Sequence, residues 1–267
     1  MPSIATNVAA NSSLFYLNRN SENQSASLSK ISSGSRIVSA KDDAAGAAIA
    51  DQLQSDITSL EVAGQTVQQV EALLQVADGG LQRVSDILQR IKGLATQFNS
   101  GTVDATSQGF IEAEFDLLKN EINLIETSTT YNGTALLDGT FNNNVVVGAA
   151  AADVIAIDLS GVNVDFTTLG LPANLSGAAD ITTVETAIGN IGTDRATVGS
   201  LQSAVSFQGE VVATQIENLQ AAKASISDVD IAAEQTRFTN FQVLTEAAIA
   251  GLAQANQITQ SLLSLLR

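Results

Sequence analysis

The chain has 267 residues, which is long enough for one or two domains with a sizeable core. It contains no cysteine, histidine or tryptophan, so disulfides, thiolate chemistry, cysteine-type zinc sites and histidine-based catalysis are excluded. Its 28 acidic residues outnumber its 12 basic ones, and the net charge of −16 disfavours a nucleic-acid partner because phosphate would be repelled. With only 4% aromatic residues, the chain also has little with which to build an aromatic ligand pocket, so we expect no cofactor and no metal.

The negative charge is concentrated in the middle of the chain. Residues 1–50 carry a net charge of +1 and residues 223–267 of −1, whereas residues 51–222 carry −16. Near-neutral ends can pack against each other or against copies of themselves, and an acidic centre suits a solvated outer surface. The longest apolar run is far short of the ~18 residues that cross a bilayer, and no cleaved secretory signal is recognisable. We therefore expect neither membrane insertion nor a cleaved signal peptide.

The first two predicted helices differ in strength. Residues 3–32 place a few apolar side chains among many asparagines and serines, which favours a helix that needs a partner. In residues 53–98, thirteen of the fourteen a and d positions of a seven-residue repeat are apolar, which predicts one long coiled-coil-like helix. Such a helix would be about 69 Å long, longer than the roughly 48 Å diameter of a compact globule of this size. We therefore expect an elongated rod, with a possible bend at Gly79-Gly80.

Three more helices and a small β insert complete the prediction. Apolar residues recur at helical spacing in residues 103–128, 185–223 and the last forty residues. In between, Tyr-Asn-Gly-Thr at 131–134 indicates a hairpin turn, and residues 154–159 and 162–166 predict strands. The predicted fold class is mainly α: an elongated antiparallel helical rod or coiled coil of the N- and C-terminal segments, with a small central β-containing insert.

Two sequence motifs resemble those of bacterial flagellins. Residues 33–46 read Ser-Gly-Ser-Arg-Ile-Val-Ser-Ala-Lys-Asp-Asp-Ala-Ala-Gly, and residues 224–234 read Ala-Ser-Ile-Ser-Asp-Val-Asp-Ile-Ala-Ala-Glu. Leu-Gln-Arg-Val at 81–84 and the apolar repeat that ends at Arg267 also match, so the similarity covers roughly residues 1–140 and 185–267. The resemblance implies three domains: residues 1–42 with 226–267 as a terminal coiled-coil core, 43–140 with 185–225 as a helical rod, and 141–184 as a small variable outer insert.

The resemblance also implies a function and a set of partners. The chain is expected to be a structural subunit that self-polymerises into the extracellular flagellar filament used for swimming, and not an enzyme. Export as an unfolded chain through the type III export apparatus, with an export chaperone, is implied, as are contacts with the hook-junction and cap proteins. Recognition by the innate immune receptor TLR5 is implied as well. The alternative within the superfamily is a hook–filament junction protein. From other classes, an enzyme or small-molecule binder hidden in the insert and an adhesive or receptor-binding module stay open.

Four groups of residues are the candidate sites, none of them catalytic. The exposed hydroxyls of the insert are candidates for O-linked sugars, whereas four short Asn-X-Ser/Thr matches carry little weight in so Asn- and Ser-rich a chain. The acidic pair at 42 and 43 is read as a helix N-terminus rather than a metal or acid–base pair, because neighbouring residues of a helix point about 100° apart. The candidates for core self-assembly are Ile4, Val8, Phe15, Leu244, Ile258, Leu262, Leu265 and Leu266. The candidates for contacts between subunits in the spoke, the segment that the resemblance places between core and rod, are Arg36, Lys41, Asp42 and Asp43. Those for rod packing and the TLR5 surface are Arg83, Val84, Ile87 and Glu114, and those for glycosylation are Thr167, Thr168 and Ser176.

Overall fold

The computed structural model describes residues 7–265, except the side chains of residues 179, 259, 260 and 262–265. Five helices and four short strands occupy these residues, which confirms the mainly helical fold with a small β insert. They follow one another as α1 (Val8–Ser33), α2 (Ala44–Phe98), α3 (Ala105–Ser128), β1 (Thr130–Tyr131), β2 (Thr134–Ala135), β3 (Asn142–Val146), β4 (Val154–Asp158), α4 (Ala178–Ser227) and α5 (Ile231–Leu265).

The chain divides into two compact units. The terminal unit contains the residues up to Ser55 together with those from Asn218 onward, and the central unit is Asp56–Glu217. Helices α2 and α4 contribute to both units. The three domain boundaries expected from the sequence remain a prediction.

The terminal unit is built on the pairing of α1 with α5. The Asn7 side-chain amide donates to the Ala255 carbonyl at 3.0 Å, and at the other end the Val229 N–H donates to the Gly34 carbonyl at 3.1 Å, so the two helices are antiparallel. Asn7 also caps α1 by accepting from the Ala10 N–H, and Gly34 ends the helix in the left-handed conformation at φ 70°. The pairing supplies the partner that the weak N-terminal helix was expected to need.

The central unit has the large hydrophobic core. Eleven of the fourteen a and d positions predicted for residues 53–98 are buried in α2, and those from Val67 onward pack with apolar residues of α3, α4 and the insert. The predicted stripe of α3 is also inside: Ile111, Phe115 and Ile122 are buried. From α4, Val198, Val205 and Val212 are each at most 1% exposed. The heptad pattern therefore identified the interior of this unit correctly.

The insert confirms two β predictions and corrects a third. Asn132 and Gly133 form the β1–β2 turn with φ of 51° and 79°, as Asn-Gly turns require. Strand β4 begins at the predicted residue, and its antiparallel partner β3 was not predicted because its first three residues are asparagines. The predicted strand at 162–166 is wrong. Its side chains alternate in burial, but only Asn163 makes a β-bridge, because the Asn163 and Asp165 side chains accept backbone N–H donors two residues ahead and turn the chain.

The glycine pair of α2 does not interrupt the helix, and the two glycines differ in their surroundings. A Cβ on Gly80 would lie 2.8 Å from Leu137 Cδ1 and 2.9 Å from Thr129 Oγ1, whereas a Cβ on Gly79 would meet nothing within 4 Å. Leu137 is fully buried and cannot swing aside. Gly80 is therefore needed for close packing of the insert on α2.

Substitution of the two glycines by alanine should have opposite effects. Gly79→Ala should stabilise the helix by about 1 kcal/mol, because alanine has the higher helix propensity and meets no neighbour there. Gly80→Ala has the same favourable contribution, but overpacking against Leu137 and Thr129 destabilises the fold by about 1–3 kcal/mol. We expect Gly79→Ala to raise and Gly80→Ala to lower the unfolding midpoint in circular-dichroism melts of the monomer. Equal midpoints for the two variants would contradict the packing described here.

Candidate self-assembly surfaces

Helix α1 carries large apolar side chains that its partner helix leaves uncovered. Val8 and Phe15, both named from the sequence, are 70% and 62% exposed, and Leu14, Tyr16 and Leu28 are about half exposed. The rings of Phe15 and Tyr16 contact each other edge to face at 5.6 Å between centroids. The third candidate of this segment, Ile4, lies outside the described residues. Val8 and Phe15, seven residues apart, share one side of the helix, and exposed apolar side chains that lie together are typical of a binding surface.

Helix α5 has a second uncovered apolar face. Leu244 and Ile258 are 49% and 53% exposed, and Val243 and Ile249 are comparably exposed. Leu262 and Leu265 belong to the helix, but their side chains fall outside what the structure describes, as does the whole of Leu266. Both terminal helices therefore present apolar side chains that their own unit does not bury.

The surface between α1 and α5 uses a different set of residues, none of which is among the candidate site residues named from the sequence. The least exposed positions of each helix recur at steps of three and four and so form one stripe per helix. On α1 this stripe is largely small or polar, and that is why a search for apolar periodicity did not find it. Its members are Ala10, Ser13, Leu17, Asn20, Gln24, Ser27 and Ile31 on α1, and Glu234, Phe238, Phe241, Thr245, Ala248, Leu252 and Ala255 on α5.

The predicted spoke residues lie between α1 and α2 and are held within the chain. Arg36 donates through Nε and Nη2 to the Ile226 carbonyl at 3.1 and 2.7 Å and lies 3.6 Å from Asp43. Asp43 accepts from the Gly46 N–H at the start of α2, which confirms the helix N-terminus expected here. Asp42 accepts hydrogen bonds from the backbone N–H groups of Ser39 and Val38. These bonds, above all the one from Ser39, hold the pKa of Asp42 below its usual value. Lys41 is exposed, and the role of these residues between subunits remains a prediction.

The predicted rod surface is present except for one residue. The Arg83 side chain is 76% exposed and lies 3.8 Å from Asp86, and Ile87 is half-buried at the edge of the core. Glu114 of α3 accepts from Arg90 Nε at 2.7 Å. Val84 is fully buried, so its inclusion in a surface is wrong: it occupies a d position of the α2 repeat and faces the core. The candidate surface is therefore Arg83, Ile87 and Glu114.

The three candidate glycosylation sites are exposed. Thr167 and Thr168 follow Asp165, whose carboxylate accepts the Thr167 hydroxyl and both backbone N–H groups. Ser176 precedes α4 and donates its N–H to Asp180. Their accessibility fits a modified surface, and glycosylation itself remains a prediction.

The described residues offer neither a metal site nor a membrane-spanning helix. Among the residues that the structure describes, no group of three or more acidic side chains could hold a metal ion. Within that same part of the chain, no helix combines the length and the apolar character needed to cross a membrane. The exposed apolar side chains of α1 and α5 are therefore the candidate binding surfaces of the terminal unit.

Comparison with known proteins identifies the family. The family model described as the bacterial flagellin N-terminal helical region matches residues 4–142, and the one described as the C-terminal helical region matches residues 181–266. The flagellin of Bacillus subtilis is 35% identical, with 98% of each chain covered. The flagellar filament 33 kDa core protein of Treponema phagedenis is 34% identical, and the match covers 90% of this chain and 91% of that protein. The crystal structure of Bacillus cereus flagellin superposes with a TM-score of 0.50 at 31% identity, over 60% of this chain and 94% of that one.

These findings define a class of helical structural proteins rather than enzymes. The chain belongs to the bacterial flagellin family. It is accordingly a structural subunit that self-polymerises into the flagellar filament outside the cell. The junction protein considered as an alternative is not favoured, because the relatives are named flagellins or filament core proteins.

Proposed function

We propose that the chain polymerises by burying the uncovered apolar faces of α1 and α5 against the same faces of neighbouring copies. The observation that carries the proposal is the exposure of Phe15, Leu244 and Ile258 on helices whose contact with each other uses other residues. Each large apolar side chain that becomes fully buried contributes about 1.5–3 kcal/mol. The terminal segments together carry almost no net charge, so copies can approach each other there without strong repulsion.

The partners before and during assembly are proposed from the family. The chain would pass the type III export apparatus unfolded, guided by an export chaperone, and add beneath the cap onto hook-junction proteins. The surface of Arg83, Ile87 and Glu114 would serve packing between subunits and, in the free monomer, binding by TLR5. The exposure of Arg83 supports this second role.

A C-terminal truncation tests the proposed polymerisation surface. Removal of residues 228–267 deletes α5 and leaves the central unit with its own core. We expect a helical monomer by circular dichroism that forms no filaments on seeds under conditions where the full-length chain does. Filaments of the truncated chain in electron micrographs would rule the surface out.

A further inference from the structure

The turn between β1 and β2 contains the single Asn-Gly pair of the chain, Asn132-Gly133. Asn132 is exposed, and it is the one non-glycine residue with a positive φ in the part of the chain that the structure describes. Its side-chain amide is held by no hydrogen bond to another described residue. A Cβ placed on Gly133 would meet nothing within 4 Å, so the space around this peptide bond is open. The side-chain amide and the next backbone nitrogen can therefore approach each other without displacing a neighbour.

An asparagine followed by glycine in open surroundings has a chemistry of its own. The backbone nitrogen of Gly133, once deprotonated, can attack Cγ of Asn132, which closes a succinimide ring while the side-chain nitrogen leaves as ammonia. Water then opens the ring at either carbonyl, so residue 132 becomes aspartate or isoaspartate. Glycine permits this closure because it has no Cβ beside the attacking nitrogen. The sequence of steps consumes a water molecule, releases ammonia and needs no oxidant, reductant or cofactor.

The hairpin controls how often the two groups meet. Positive φ at both turn residues is the geometry of a type I′ turn, in which ψ of the asparagine is positive as well. That ψ points the glycine nitrogen away from Cγ, so the turn must open before the ring can close. The hairpin is short, because its strands consist of the pairs Thr130 with Ala135 and Tyr131 with Thr134. We therefore expect the turn to open locally far more often than the central unit unfolds.

We propose that Asn132 is a site of spontaneous conversion to aspartate and isoaspartate in the folded chain. The inference goes beyond polymerisation and does not depend on it. Both products add a negative charge, and isoaspartate also lengthens the main chain by a methylene group within a two-residue turn. Thr129 and Leu137, which flank the hairpin, pack against Gly80 of α2. The isoaspartate form should therefore weaken the packing of the insert on α2 and lower the unfolding midpoint of aged monomer in circular-dichroism melts.

Ageing of the full-length monomer tests the site. The folded protein is kept at mildly alkaline pH, which favours the deprotonated backbone nitrogen, and is then digested. Mass spectrometry detects the conversion of amide to acid at position 132, and enzymatic methylation specific for isoaspartate detects that product. Asn142 and Asn144 are internal controls, because both are exposed in the same insert and neither precedes glycine. We expect conversion at position 132 to be at least about tenfold faster than at either control.

An unfolded sample and a matched variant complete the test. The chain unfolded in urea shows the conversion of Asn132 without the hairpin, and it should react faster than the folded chain. Gly133→Asn retains a residue that tolerates positive φ but places a Cβ beside the attacking nitrogen, so it should slow the conversion in both samples. The proposal is overturned if position 132 of the folded chain stays an asparagine while the unfolded chain reacts. Equal conversion at position 132 and at the two control asparagines of the folded chain overturns it as well.

Discussion

Replacing Phe15, Leu244 and Ile258 together by glutamine is expected to abolish filament formation and leave the monomer folded. Glutamine is a good helix former, and the three side chains are at least about half exposed, so the free chain loses little packing. In the filament the same change removes burial of the half of each side chain that the monomer exposes, roughly 2–5 kcal/mol per subunit. Since 1.4 kcal/mol corresponds to a factor of ten in affinity, the critical concentration should rise at least about thirtyfold. Sedimentation of seeded samples measures it.

The control substitutes polar residues on the same helices. Asn18→Gln with Asn256→Gln changes two exposed positions and removes no apolar surface, so it should polymerise as the unsubstituted chain does. Circular dichroism of the triple variant should show unchanged helicity. A triple variant that polymerises at the original concentration would mean that these side chains are not at the contact.

Removal of the Phe115 ring should strongly destabilise the central unit. Phe115 is 1% exposed and packs edge to face on Phe166 at 6.1 Å between centroids, and Lys119 Nζ lies 4.6 Å above the Phe166 ring. Truncating such a side chain to alanine costs about 3–5 kcal/mol. For a unit of this size we expect Phe115→Ala to lower the unfolding midpoint by about 10 °C, measured by circular dichroism on the monomer.

Phe110 is the matched control on the same helix. It is 73% exposed, so Phe110→Ala should change the free energy of unfolding by less than about 0.5 kcal/mol. The two variants truncate the same side chain on one helix and differ in its burial, so a difference between their midpoints reports the packing of Phe115. Equal midpoints for both variants would contradict the burial pattern of α3.

The sequence predicted the central unit well because its core follows one strong rule. Leu74, Leu81 and Leu88 recur every seven residues, and all three are fully buried. The Asn-Gly turn was equally clear, because both residues tolerate positive φ. Strong local preferences that agree with the final packing make a prediction reliable.

The errors arose where polar groups determine the structure. The surface between α1 and α5 includes Asn20, Gln24 and Ser27, so apolar periodicity could not indicate which face of α1 is covered. The segment predicted as a strand at 162–166 is a loop, because the side chains of Asn163 and Asp165 accept hydrogen bonds from backbone N–H groups two residues ahead. The alternation of apolar and polar residues does not reveal such bonds. Motif matching placed Val84 on a surface with Arg83, although neighbouring residues of a helix point in different directions.

The most direct test is whether position 244 becomes protected from solvent when the chain polymerises, since the account places this face of α5 between copies. A Leu244→Cys chain has a single thiol, and its reaction rate with a maleimide can be compared in the monomer and in the filament. We expect fast labelling of the monomer, because the site is 49% exposed, and at least about tenfold slower labelling in filaments. Equal rates in both states would contradict burial of this face on polymerisation.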